Sequence, residues 1–267
     1  MKIPFYKLHG AKNDFLLTLL EDAPAENLPQ IAVAICDRYT GVGADGWMLV
    51  DRTPGADFDA SIRLFNSDGS EPELSGNGTR CAAALLAEKN HSQTEFRIRT
   101  GAGVKHLRLL SHAGSEYEFE MNMGEPKILE LHATVHGRDA VIVDAGNPQC
   151  VLPVADFDFD WQAVGAAIER DPRFPNRTNV SFVKSIDANT IDVRFWERGA
   201  GLTNSSGTGS TGAVAASLAR GIVRAQVSVL TPAGILGIRA ENSVLFLTGP
   251  AELIAGGTYY SFIDVRN

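Results

Sequence analysis

Cysteine is scarce: three residues, at positions 36, 81 and 150 of a 267-residue chain. They are too few and too scattered for a disulfide framework, and no pair has the spacing of a zinc site. Long apolar runs are missing as well. The longest, Ala82 to Ala87, falls far short of a membrane span, and Met1-Lys2-Ile3-Pro4-Phe5-Tyr6-Lys7 carries no signal-peptide stretch. Basic residues are outnumbered 24 to 32, giving a net charge of −8 and no electrostatic footprint for nucleic acid. What remains is an ordinary globular balance, 44% hydrophobic and 21% charged. The expectation is a cytoplasmic protein handling small molecules, without nucleic-acid or membrane partners.

Strand signals dominate. Short runs bounded by Gly, Asp, Asn or Pro occur at Phe15 to Leu20, Trp47 to Val50, Ile62 to Phe65, Phe96 to Arg99, Glu116 to Asn122, Val141 to Asp144, Ile191 to Trp196 and Val227 to Leu230. Helical signals are few: Glu26 to Arg38, Trp161 to Arg170, and the alanine-rich Gly76 to Lys89 and Gly207 to Arg220. Many strands with few intervening helices, and no regular βαβ alternation, predict an α+β fold.

The most informative feature is an internal repeat. Ser75-Gly76-Asn77-Gly78-Thr79-Arg80-Cys81-Ala82 recurs half a chain later as Ser206-Gly207-Thr208-Gly209-Ser210-Thr211-Gly212-Ala213, and each copy runs into an alanine-rich helix. The repeat predicts two pseudo-symmetric domains, each a sheet wrapped on a central helix. The expected boundaries are 1–113 and 114–251, joined at the Ala113 to Glu116 turn. Residues 252–267, with a strand around Tyr259 to Val265, are expected to return to the first domain. A Gly-x-Gly turn entering a helix lets backbone approach a ligand closely, and the helix N-terminus attracts an anion. Two such ends would clamp a carboxylate or phosphate from both sides; the bland alternative is glycine used only for close packing.

Two other patterns are weaker. Gly207-x-Gly209-x-x-Gly212 has the spacing of a dinucleotide turn, but no strand signal precedes it and no acid follows before Glu241. His132 and His136 have the spacing of a zinc helix, yet their segment reads as strand and turn. Four strand residues span about 13 Å, too far for one ion. Neither a metal nor a cofactor is expected.

Taken together, His9-Gly10-Ala11-Lys12-Asn13-Asp14-Phe15, Asp37 to Gly46, Phe65-Asn66-Ser67-Asp68-Gly69-Ser70-Glu71, Gly76-Asn77-Gly78, Gly146-Asn147-Pro148 and Glu197-Arg198-Gly199-Ala200-Gly201 resemble the motifs of diaminopimelate epimerases, in the same order. The resemblance runs from residue 9 to about 215. It implies two α/β domains with the active site in the cleft between them, and inversion of an amino-acid α-carbon without pyridoxal phosphate or metal. Two cysteines, one per domain, would take and return the proton, while the helix N-termini at Gly76 and Asn77 and at Gly207 and Thr208 hold the α-carboxylate. Carried over position by position, the resemblance places Asn13 among the substrate-binding residues. It assigns the distal end of the diamino acid to Asn66, Asn147, Asn179, Glu197 and Arg198, with Arg198 suited to a carboxylate and Glu197 to an ammonium. A homodimer stays open.

The departures are specific. Ser75 and Ser206 occupy the two catalytic cysteine positions. A thiol titrates at about 8.5 and can be tuned toward neutrality, whereas an alcohol is far more basic and needs a neighbouring base, which the sequence alone does not reveal. Cys81 lies too deep in the helix to substitute. Gly46 stands where the family has Gln, Gln149 where it has His, and Leu202 where a Glu usually follows Gly-Ala-Gly. Three accounts stand side by side: an epimerase silenced by engineered serines, a divergent proton-transfer isomerase using serine or a carboxylate such as Glu71 or Glu73, and a non-catalytic diamino-acid-binding protein.

Overall fold

A computed structural model describes residues 1–261. The chain divides into two compact units, one of Met1–Met121 together with the segment from Pro250 onward, the other of Asn122–Gly249. Positions 262–265 of the expected C-terminal strand lie outside the described residues.

In the first unit, β1 (Lys2–Gly10), β2 (Asn13–Leu19), α1 (Leu28–Cys36), β3 (Gly46–Asp51), β4 (Ala60–Asn66), α2 (Gly76–Lys89), β5 (Glu95–Thr100), β6 (Gly103–Ala113) and β7 (Glu116–Gly124) follow one another. The strands pair in that order, with parallel contacts where a helix intervenes: β2 with β3, and β4 with β5. The last strand among the described residues closes the ring. It pairs antiparallel with β1, from Lys2 opposite Tyr260 to His9 opposite Glu252, and also neighbours β7. Helix α2 is buried from Asn77 to Ala87, and its small residues allow the enclosing strands to come close. A Cβ on Gly10 would lie 3.1 Å from the Asn77 carbonyl oxygen. Helix α1 covers the outer face through Ile31, Ala32 and Ile35, packed on Ile3, Leu16, Trp47, Leu49 and Phe65.

The second unit repeats the plan with β8 (Lys127–Val135), β9 (Arg138–Asp144), β10 (Pro148–Pro153), α3 (Trp161–Glu169), β11 (Asn179–Asp187), β12 (Thr190–Glu197), β13 (Gly201–Thr203), α4 (Gly207–Ala219), β14 (Gln226–Thr231), β15 (Gly234–Glu241) and β16 (Val244–Tyr260). The pairing order is β8-β9-β10-β11-β12-β14-β15-β16, with short β13 appended to β12. Parallel contacts again fall where a helix intervenes, at β10 with β11 and β12 with β14. Helix α4 is buried from Gly209 to Ser217. Helix α3 covers the other face of the sheet, where Ile168 joins Cys150, Leu152, Val180 and Phe182.

The Ala113 to Glu116 turn, expected as the join, is the tip of the β6–β7 hairpin; the division falls inside β7 and again inside β16. His132 lies in β8, and His136 sits just beyond it in a positive-φ turn, paired with Asp171. Among the described residues no group of His, Cys, Asp and Glu could hold a metal ion, and no helix is long and apolar enough to cross a membrane.

Candidate active site

The repeated serines are helix caps. Ser75 precedes α2 in extended conformation, and its Oγ accepts the Gly78 N–H at 3.1 Å; Ser206 precedes α4 and accepts the Gly209 N–H, also at 3.1 Å. Each cap satisfies one of the donors a helix start leaves open, so the remaining amides of Gly76 and Asn77, and of Gly207 and Thr208, form the anion-attracting end. Gly209 is sterically constrained, since a Cβ there would lie 2.8 Å from the Phe195 ring and 2.9 Å from Ser206 Oγ; one on Gly78 would lie 2.7 Å from Met48 Cε, the movable end of a flexible side chain.

In the first unit a chain of side-chain amides leads away from α2. Asn77 Nδ2 donates to Asn13 Oδ1 at 3.3 Å, and Asn13 Nδ2 donates to Asp45 Oδ2 at 2.6 Å. Asp45 also accepts from Arg38, as does Asp14. Asn66 is occupied locally, donating to Ser70 Oγ at 2.9 Å. Ser75 lines a cavity of about 310 Å³ with Glu71, Glu73, Arg63, Thr100 and Gly101. Of the two carboxylates there, Glu71 is held by Arg63 at 2.7 and 2.9 Å, and that pairing lowers its pKa. It is a poor base, which leaves Glu73. Gly46 has no room for a glutamine, because even a Cβ would lie 2.8 Å from the Phe65 carbonyl oxygen.

In the second unit Gln149 Nε2 donates to Asn147 Oδ1 at 2.6 Å, and Asn147 Nδ2 donates to Thr208 Oγ1 at 3.3 Å. Gln149 is fully buried, with its Oε1 unpartnered. Asn179 is committed to the backbone, donating to the Pro148 carbonyl at 3.0 Å and accepting the Arg198 N–H at 3.0 Å. The Arg198 side chain is exposed and reaches the Asn176 carbonyl at 3.4 Å. Glu197, half-buried at the end of β12, has its carboxyl pushed up by desolvation, against which the neighbouring Ser206 hydroxyl acts. A carboxyl of raised proton affinity therefore neighbours the Ser206 hydroxyl.

Sequence reasoning missed Glu169. Only 2% exposed at the end of α3, it accepts the Gly199 N–H at 2.9 Å, Trp196 Nε1 at 3.1 Å and Arg177 Nη1 at 3.2 Å. Burial alone would raise its carboxyl; these donors hold it below the usual range. Together with Asn179 it clamps the successive amides of Arg198 and Gly199. One signal was available: an acid in the last turn of a helix opposes the dipole and calls for a partner. The three cysteines are buried, each pushed up to about 12 chiefly by desolvation, which removes Cys81 from the chemistry.

Solved structures share this architecture. A phenazine biosynthesis protein of the PhzF family from Bacillus anthracis matches with a TM-score of 0.72, over 97% of this chain and 99% of that one, at 14% identity. A hydroxyproline epimerase from Agrobacterium vitis matches with a TM-score of 0.72 over 96% and 92%, also at 14% identity. Fold and paired helix caps thus define a two-unit α+β protein of the class represented by these structures. The family follows from sequence: the diaminopimelate epimerase model matches residues 5–129 and 141–254. The diaminopimelate epimerases of Pelotomaculum thermopropionicum and Microcystis aeruginosa are 38% and 39% identical, covering 96% and 97% of this chain and 98% and 99% of theirs. The chain belongs to the diaminopimelate epimerase family.

Proposed function

We propose that the protein moves the α-proton of diaminopimelate, or a close diamino acid, without a cofactor, and that Glu197 supplies the base Ser206 lacks. The observation that carries this reading is the half-buried Glu197 carboxyl next to the Ser206 hydroxyl, with its proton affinity raised by desolvation. A carboxylate tuned upward in this way is matched to proton transfer nearer neutral pH. The amides at each helix start, Gly76 and Asn77 in one unit and Gly207 and Thr208 in the other, suit a substrate carboxylate and stabilise negative charge developing at an α-carbon. As the α-proton passes to Ser206 Oγ, the hydroxyl proton passes to Glu197; the reverse transfer returns it. In this reading Glu197 serves the reacting carbon rather than the distal ammonium, and Arg198 remains the distal carboxylate's partner.

In the first unit Ser75 is the corresponding proton donor, with Glu73 in the same cavity. The test is proton NMR in deuterated buffer with diaminopimelate. The expected result is loss of the α-proton signal with the intact protein, and none with Glu197→Gln despite ligand line-broadening in both. Binding without exchange in the intact protein would instead establish a diamino-acid-binding protein. Exchange persisting in Glu197→Gln would remove Glu197 from the chemistry.

A further inference from the structure

The two copies of the repeat correspond residue by residue, and their charged residues differ. Thr211 in the second copy is neutral and gives its hydroxyl to the Gly207 carbonyl at 2.8 Å. Arg80 occupies the same place in the first. It is fully buried, and its guanidinium donates to Asn77 Oδ1 at 2.6 Å, the Pro250 carbonyl at 3.1 Å and the Gly76 carbonyl at 3.4 Å. All three acceptors are neutral, and no carboxylate among the described residues pairs with it. Burial pulls Arg80 down to about 10, so it is still a cation at neutral pH.

A buried charge without a counter-ion is unfavourable. Here it is placed at the positive end of α2, touching the carbonyl of the residue that follows Ser75, so its field adds to that of the helix start. The other charges near this end are balanced or opposed. Arg63 is paired with Glu71; Asp14 on β2 is paired with Lys7 and Arg38; His9 on β1 faces Glu252. The buried residues of β5 are Phe96, Ile98 and Thr100. Glu73, in the Ser75 cavity, opposes Arg80.

We propose that Arg80 is an electrostatic positioning residue, a buried cation that holds position 75 ready to carry negative charge, as nothing does at position 206. The two ends of the repeat are then unequal, with position 75 the better able to carry the negative charge left once Ser75 has donated its proton. This rests on the local field alone, so its test needs no turnover and can fail independently of the proposed function.

A thiol introduced by Ser75→Cys or Ser206→Cys reports that field, because the native cysteines are buried and hard to ionise. Alkylation rate against pH gives each thiol's titration. Glu197→Gln is included in the Ser206→Cys variant to remove the carboxylate there. The thiol at 75 is expected to titrate lower than that at 206 by about one pH unit, roughly tenfold in thiolate. Arg80→Gln in the Ser75→Cys background should remove that difference, and Arg80→Lys should preserve it, whereas a purely structural Arg80 would leave the titration unchanged in both. Equal titration at the two positions overturns the proposal, and so does an unshifted thiol in a folded Arg80→Gln variant. If Arg80→Gln fails to fold, the comparison between positions decides.

Discussion

Replacing Glu169 by alanine would take the acceptor from the Gly199 N–H and the Trp196 indole N–H, and would release the Arg177 guanidinium. Hydrogen bonds to a charged acceptor are worth about 1.5–3 kcal/mol each, so the two donors together account for at most roughly 3–6 kcal/mol, less what water recovers at exposed Gly199. Arg177 is half exposed and rehydrates, adding at most about 1 kcal/mol. Even the lower end, about 3 kcal/mol, is large against a domain stability of about 5–15 kcal/mol. Urea unfolding followed by tryptophan fluorescence measures it, and hydrogen exchange locates it at residues 198–200. Glu169→Gln retains one acceptor oxygen and should lose about half as much. The pH dependence follows from the lowered native pKa. The carboxylate's contribution is present above its ordinary value of 4.5 and disappears as pH falls through the lower native one, so wild type and Glu169→Gln should converge in acid. A loss below about 1 kcal/mol for Glu169→Ala, with the amides of Arg198 and Gly199 still protected, would refute the clamp.

Glu197 carries the opposite sign. Its native carboxyl is raised, so ionising it costs stability above the ordinary carboxylate range, and Glu197→Gln should stabilise the fold at neutral pH and lose that advantage in acid; equal thermal melts at neutral pH would contradict this. Arg198→Ala should weaken diaminopimelate binding by roughly ten- to hundredfold, the value of a charge-assisted contact, and unchanged affinity by calorimetry would take Arg198 out of the site. Ser75→Cys combined with Ser206→Cys should exchange the α-proton faster than the parent chain, since a thiol at a helix start ionises more readily than an alcohol. Unaltered exchange despite binding would direct attention to Gly46, Gln149 and Leu202.

The helices were legible because local rules govern them. The spans read from sequence as Gly76 to Lys89 and Gly207 to Arg220 are α2 and α4 to within a residue; a serine cap, a glycine entry and an alanine run leave little room for another structure. Strands were legible where apolar residues cluster, as in β3 and β12, and hidden where they do not. Strand β1 contains Pro4 and Lys7, and β16 runs through Gly249-Pro250 and Gly256-Gly257, which read as breaks. Pro250 is tolerated, and its carbonyl is taken by Arg80. The caps and the Glu197-Arg198 segment could be read as motifs. The Glu169 clamp and the proximity of Glu197 to Ser206 could not, because each joins residues from separate elements through tertiary pairing.

The ring of strands around α2 has a consequence for the order of events during synthesis. Strand β1 leaves the ribosome well before its partner, Glu252 to Tyr260, with which it pairs. The unit built on α4 is continuous in sequence and can condense while translation proceeds. The unit built on α2 must wait with an unpaired strand edge, a hazard for aggregation that lasts as long as the intervening segment takes to appear. Linking β16 directly to β1 by circular permutation would remove that wait.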